Sequence, residues 1–64
     1  MPTIRVDGPP IKDLDRKTYL VKLFAESAAE VYGMDIGHIV VLIRENAPEN
    51  VGIGGELLVD RKQK

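Results

Sequence analysis

Polar and apolar residues alternate at the start of the chain. In Thr3-Ile4-Arg5-Val6 the apolar side chains Ile4 and Val6 share one face, which predicts a short strand. Asp7-Gly8-Pro9-Pro10 ends it, because glycine supplies turn geometry and the prolines remove ladder donors. From Leu14 the period lengthens. Leu20, Leu23, Phe24, Ser27, Ala28 and Val31 recur at spacings of three and four and form one apolar stripe, while Arg16, Lys17, Lys22, Glu26 and Glu30 mostly lie off it. Asp13 is the expected N-cap and Gly33 the expected left-handed stop. The spacing therefore predicts a helix of about 18 residues, or about 27 Å. Lys22 and Glu26 are placed to pair across one turn, worth a few tenths of a kcal/mol.

His38 to Arg44 reads as a second strand, apolar on both faces from Ile39 to Ile43, the pattern of a strand covered on both sides. Asn46 to Asn50 reads as a loop, Gly52 to Gly55 as a tight turn, and Glu56 to Val59 as a short last strand. Strand, long helix and strand imply a right-handed crossover with parallel strands. The fold class is α+β: a single β-α-β unit with parallel strands plus a short C-terminal hairpin, forming one domain over residues 1–64.

One helix covers only one face of a two-stranded sheet. The other face and both edges meet water, so an isolated subunit is expected to be unstable. A chain of 64 residues buries too little surface to compensate. It has no cysteine, which excludes disulfides, zinc–thiolate sites and cysteine nucleophiles, and the lone His38 cannot build a zinc site. Self-association is the remaining supplement, so a homo-oligomer is expected.

Nine basic residues nearly balance ten acidic ones, which argues against nucleic acid or an anionic membrane as main partner. The charged tail Asp60-Arg61-Lys62-Gln63-Lys64 reads as a solvated terminus. The longest apolar run, Ile39 to Ile43, is far short of the ~20 residues of a membrane span. With no signal peptide ahead of the first strand, a soluble cytoplasmic protein is expected.

The chain opens Met1-Pro2. Removal of the methionine would leave a prolyl amine, and an ordinary α-amine titrates at about 7.7–8.0. Burial among apolar residues or a nearby cation disfavours its protonated form and brings it to the range of a base at neutral pH. Such a base suits proton abstraction next to a carbonyl. Gly52-Ile53-Gly54-Gly55-Glu56-Leu57 has no GK[ST] ending and opens no helix, so it is not a phosphate loop.

Taken together, the second-position proline, the strand–helix–strand order and the glycine turn Gly52 to Gly55 followed by Glu56-Leu57 resemble the 4-oxalocrotonate tautomerase family over nearly the whole chain. The resemblance implies a homohexamer built from dimers and a site at the subunit boundary around the proline. It also implies an isomerase that moves a proton on a small enol or keto acid with no metal or organic cofactor. Pro2 matches the catalytic general base. Lys12 stands where the family has an arginine just before the helix, which keeps the charge but not the bidentate grip on a carboxylate. Val40 stands in place of a second arginine and Val51 in place of a phenylalanine, leaving these positions as pocket walls. A dicarboxylate wants two cationic anchors, so a mono-carboxylate enol is the expected substrate. Arg44 lies on the same strand face as Val40 but about 13 Å along it, and with Arg5 reads as a solvated strand residue. His38 reads as a surface residue.

Two other readings stand beside this one. A hydratase or dehalogenase of the same superfamily would need a water-activating carboxylate, for which Glu45 and Glu49 are candidates by type alone. A non-catalytic oligomeric scaffold would keep the fold without the anchors.

Overall fold

The computed structural model describes residues 1–61. Strand β1 (Thr3–Gly8) leads through a proline-containing link into helix α1 (Leu14–Tyr32), and the chain returns as strand β2 (Val40–Glu45). β1 and β2 pair in parallel, with Thr3 opposite Val40 and Gly8 opposite Glu45. Short strands β3 (Gly52–Ile53) and β4 (Glu56–Leu57) form a separate antiparallel hairpin. The expected β-α-β unit with a C-terminal hairpin is the observed architecture.

The helix ends follow local chemistry. The Asp13 carboxylate accepts the Asp15 amide hydrogen at 3.0 Å, satisfying one of the orphan donors of the first turn. At the other end Gly33 adopts φ 65°, a left-handed conformation that costs glycine nothing, and the Met34 amide donates back to the Ala29 carbonyl at 3.1 Å. The hairpin turn also depends on glycine. Gly54 and Gly55 have φ of 63° and 85°, and two successive positive values are what a two-residue hairpin turn compatible with strand twist requires.

In β1 exposure alternates residue by residue, so Ile4 and Val6 turn toward the helix and Thr3, Arg5 and Asp7 turn away. Register carries this to β2: Val41 and Ile43 share the helix side, and Val40, Leu42 and Arg44 the open side. The helix face withdrawn from solvent comprises Leu20, Val21, Phe24, Ala25, Ala28 and Ala29, with Ala25 buried.

Several expectations are corrected. The stripe on α1 is rotated: Val31 is 83% exposed and Leu23 and Ser27 face solvent, while Val21 and Ala25 take the inner positions. Apolar residues cover more of this helix than one sheet can bury, and the stripe inferred from spacing straddled two faces. The second strand starts at Val40, not His38, because Ile36–His38 forms a 3-10 turn. The last strand stops at Leu57, and Leu58–Asp60 turns into another 3-10 segment. Leu42 is 47% exposed, so β2 is not covered on both faces within one chain. Among the described residues, Lys17 rather than Lys22 makes the helix ion pair, and its partner is Glu45. Of the charged tail, Lys62, Gln63 and Lys64 lie outside the described residues.

The hairpin forms an arm. Strand β4 packs against the Pro48–Asn50 turn, which packs in turn against Leu58–Asp60, and the Leu58 amide donates to the Val51 carbonyl at 2.7 Å. The chain extends 44 × 25 × 18 Å with a radius of gyration of 15.2 Å. A self-contained domain of this length has a radius of about 11 Å. Its 5371 Å² of accessible surface exceeds the roughly 4,100 Å² expected for a monomer of this mass. The excess is larger than the ~800 Å² that a standard interface removes from each partner. No described helix is long and apolar enough to cross a membrane.

Candidate active site

Pro2 immediately precedes β1 and is half-buried, and its carbonyl accepts the amide hydrogen of Val40 at 3.0 Å. That bond extends the parallel ladder one step beyond Thr3 and holds the start of the chain against the start of β2. Val40 is half-buried on the sheet face turned away from the helix. His38, in the 3-10 turn just ahead of β2, is exposed at this same end, its amide bonded to the Asp35 carbonyl at 2.9 Å.

Lys12 lies elsewhere. It is exposed in the link between β1 and α1, at the opposite end of the parallel strands. β1 has six residues, and at about 3.3 Å per residue this separates the ends of the sheet by roughly 20 Å. Val51 follows the far end of β2 and opens the arm, half-buried, with its amide bonded to Pro48 and its carbonyl to Leu58. One chain thus brings Pro2 and Val40 together and leaves Lys12 and Val51 apart from them.

Arg44 does not approach Val40. It pairs with Asp7 at 3.6 Å across the strand register, 72% exposed, at the far end of β2. Arg5 and Leu42 are register partners on this open face, where Arg5, Asp7, Leu42 and Arg44 border a shallow depression.

Glu45 has a role that its residue type alone did not indicate. One carboxylate oxygen, Oε2, accepts the Lys17 ammonium at 2.6 Å and the Ile11 amide hydrogen at 3.1 Å. The Lys17 hydrogen bond first, and the Ile11 amide second, hold this carboxyl below its ordinary value of 4.5. A carboxylate so engaged is a weak proton acceptor. The Ile11–Glu45 contact joins residues 34 apart in the chain, and no local pattern marks it. Among the described residues, no group of three or more His, Cys, Asp or Glu side chains is arranged to hold a metal ion.

The family model described as tautomerase enzyme matches residues 2–61. A crystal structure of DmpI from Archaeoglobus fulgidus is 44% identical, covering 92% of this chain and all of that one, with a TM-score of 0.83. The structure of YwhB, a 4-oxalocrotonate tautomerase homologue, is 26% identical over 95% of this chain and 100% of the other, with a TM-score of 0.86. A heterohexamer 4-oxalocrotonate tautomerase from Chloroflexus aurantiacus, at 18% identity, covers 97% of this chain and 100% of its own, and shares the fold with a TM-score of 0.85. Among curated proteins, no match reaches significance. The chain belongs to the tautomerase family, with the β-α-β fold of the 4-oxalocrotonate tautomerase homologues.

Proposed function

We propose that this protein is a keto–enol tautomerase in which the nitrogen of Pro2, freed by removal of Met1, is the general base. The observation that carries this reading is the placement of Pro2: half-buried and fixed to the Val40 amide, at the open start of the sheet. A secondary amine held there by backbone bonding loses little freedom when it meets substrate. It takes a proton from the carbon next to a carbonyl, or from an enol hydroxyl, and returns it to a different carbon. Proton transfer by a positioned group supplies on the order of 10²–10⁴ in rate.

The same geometry asks for more than one copy. Lys12 lies beyond the opposite end of a sheet roughly 20 Å long from Pro2 of its own chain, so the cation that holds the substrate carboxylate comes from a neighbouring copy. The open sheet face, the outer helix face and the arm supply apolar surface for that assembly, including Leu42, Leu23, Ile53 and Leu57. A homohexamer built from dimers is the arrangement we favour, and the heterohexameric relative from Chloroflexus aurantiacus is in keeping with it. Val40 and, from a neighbouring copy, Val51 form uncharged walls, leaving Lys12 as the anchor, which favours a small enol or keto acid with one carboxylate. The reaction draws on no metal or organic cofactor.

The hydratase reading loses one of its two candidate carboxylates, since Glu45 is committed to Lys17 and Ile11. The test is an ultraviolet ketonisation assay on protein whose mass shows loss of Met1. The Met-free protein should convert a 2-hydroxydienoate, and Pro2→Ala should be slower by about 100-fold or more. Equal rates would remove the proline mechanism, and so would full activity in protein that retains Met1.

A further inference from the structure

We propose that Glu45 is a positioning residue for the substrate-binding cation: through the Ile11 amide and Lys17 it fixes the link between β1 and α1, and so fixes where Lys12 presents its ammonium. This rests on the reading of Lys12 as the carboxylate anchor given above.

The link is short of backbone anchors of its own. Pro9 and Pro10 have no amide hydrogen to donate. The Gly8 carbonyl, just before them, is taken by the Asn46 amide at 2.8 Å. Beyond Lys12 the chain is secured by the helix cap: the Asp13 carbonyl accepts the amides of Arg16 and Lys17, each at 3.1 Å, and its side chain accepts that of Asp15. Between these points the described anchor is Ile11, whose amide donates to Glu45 Oε2. Lys12 therefore sits between one residue held by the helix cap and another held by Glu45.

The clamp joins three elements at one oxygen. Glu45 is the last residue of β2, Ile11 lies in the link, and Lys17 is in the first turns of α1. The Lys17 and Glu45 side chains retain 28% and 31% of their exposure, so the pair is partly shielded from water. A hydrogen bond to an ionised acceptor is shorter and stronger than a neutral one, so the carboxylate holds the Ile11 amide better than a neutral oxygen would. The lysine in turn ties the same carboxylate oxygen to α1. Without Glu45 the link keeps its ends but loses its middle attachment, and the Lys12 ammonium samples a larger volume. Substrate capture suffers, while the proton transfer at Pro2 does not.

The experiment is a kinetic double-mutant cycle on Met-free protein, using ketonisation of a mono-carboxylate 2-hydroxydienoate, with Glu45→Ala, Lys12→Ala and the double variant. Glu45→Ala should raise KM about fivefold, the size expected when one hydrogen bond is lost, with kcat within about twofold. In the Lys12→Ala background the same change should add less than about twofold to KM, because the residue through which Glu45 acts is gone. Amide exchange at Ile11, followed by nuclear magnetic resonance, should speed up in Glu45→Ala. Should that variant fail to fold, Glu45→Gln carries the same test, with a smaller expected rise because the amide oxygen remains an acceptor. Unchanged KM in the Glu45 variants while Lys12→Ala raises it would overturn the proposal alone. An equal KM rise with and without Lys12 would also overturn it, marking Glu45 as merely structural. Unchanged KM in Lys12→Ala would remove the anchor reading and this proposal with it.

Discussion

The Val40 amide donates to the Pro2 carbonyl at 3.0 Å, so the first residue of β2 and the proposed base are neighbours in one ladder. Val40 is half-buried on the sheet face turned away from the helix. Position 40 is therefore a place where charge can be added beside the Pro2 end of the sheet on the side away from the helix.

Val40→Arg should therefore shift selectivity toward dicarboxylates. A bidentate guanidinium–carboxylate contact is among the stronger hydrogen-bonded pairs. The ratio of kcat/KM for 2-hydroxymuconate over a mono-carboxylate dienol should rise by about tenfold, equivalent to about 1.4 kcal/mol. Parallel ketonisation assays of the two substrates measure it. An unchanged ratio would contradict the account of substrate choice.

Self-association should be visible at low concentration. Leu57 and Val59 expose apolar surface on an arm that has little core of its own, at 42% and 53% exposure. Light scattering at micromolar concentration should give a mass that is a multiple of 7.1 kDa. Leu57→Lys should lower that mass or make it concentration-dependent, because a charge would have to be desolvated in the interface. A stable monomer of the unaltered protein would contradict the expectation.

Acid should weaken the clamp. The Glu45 carboxyl is held low in the folded chain, by Lys17 first and the Ile11 amide second. A depressed carboxyl adds stability above its unfolded value, and that contribution fades as pH falls through the folded one. The loss thus lies below the ordinary value of 4.5. Denaturant unfolding at fixed protein concentration should show Glu45→Gln less stable than the unaltered protein at neutral pH. The gap should narrow as the pH drops below 4.5. A gap independent of pH would mean that the charge of Glu45 contributes nothing.

Much of the fold was legible in the sequence because local chemistry dictates it. Alternation set the faces of β1, Asp13 and Gly33 marked the ends of α1, and paired glycines marked the hairpin. The errors arose where two solutions satisfied the same pattern. The helix carries apolar residues on two adjoining faces, and spacing did not tell Val31, which is open, from Ala25, which is buried. His38 and Leu58 have strand-like neighbours, yet tight turns claim them. For the site, Pro2 and Val40 become neighbours through strand pairing, whereas the Ile11–Glu45 bond joins distant parts of the chain. The approach of Lys12 to a Pro2 is a matter between copies in the proposed assembly, beyond what a periodic pattern within one chain encodes.

The central claim is that Pro2, with Met1 removed, is a base sheltered enough to work near neutrality. Titrating its nitrogen by nuclear magnetic resonance in isotopically labelled, Met-free protein tests this most directly. The midpoint should fall clearly below the ~7.7–8.0 of an ordinary terminal amine. A midpoint at or above that range would contradict it.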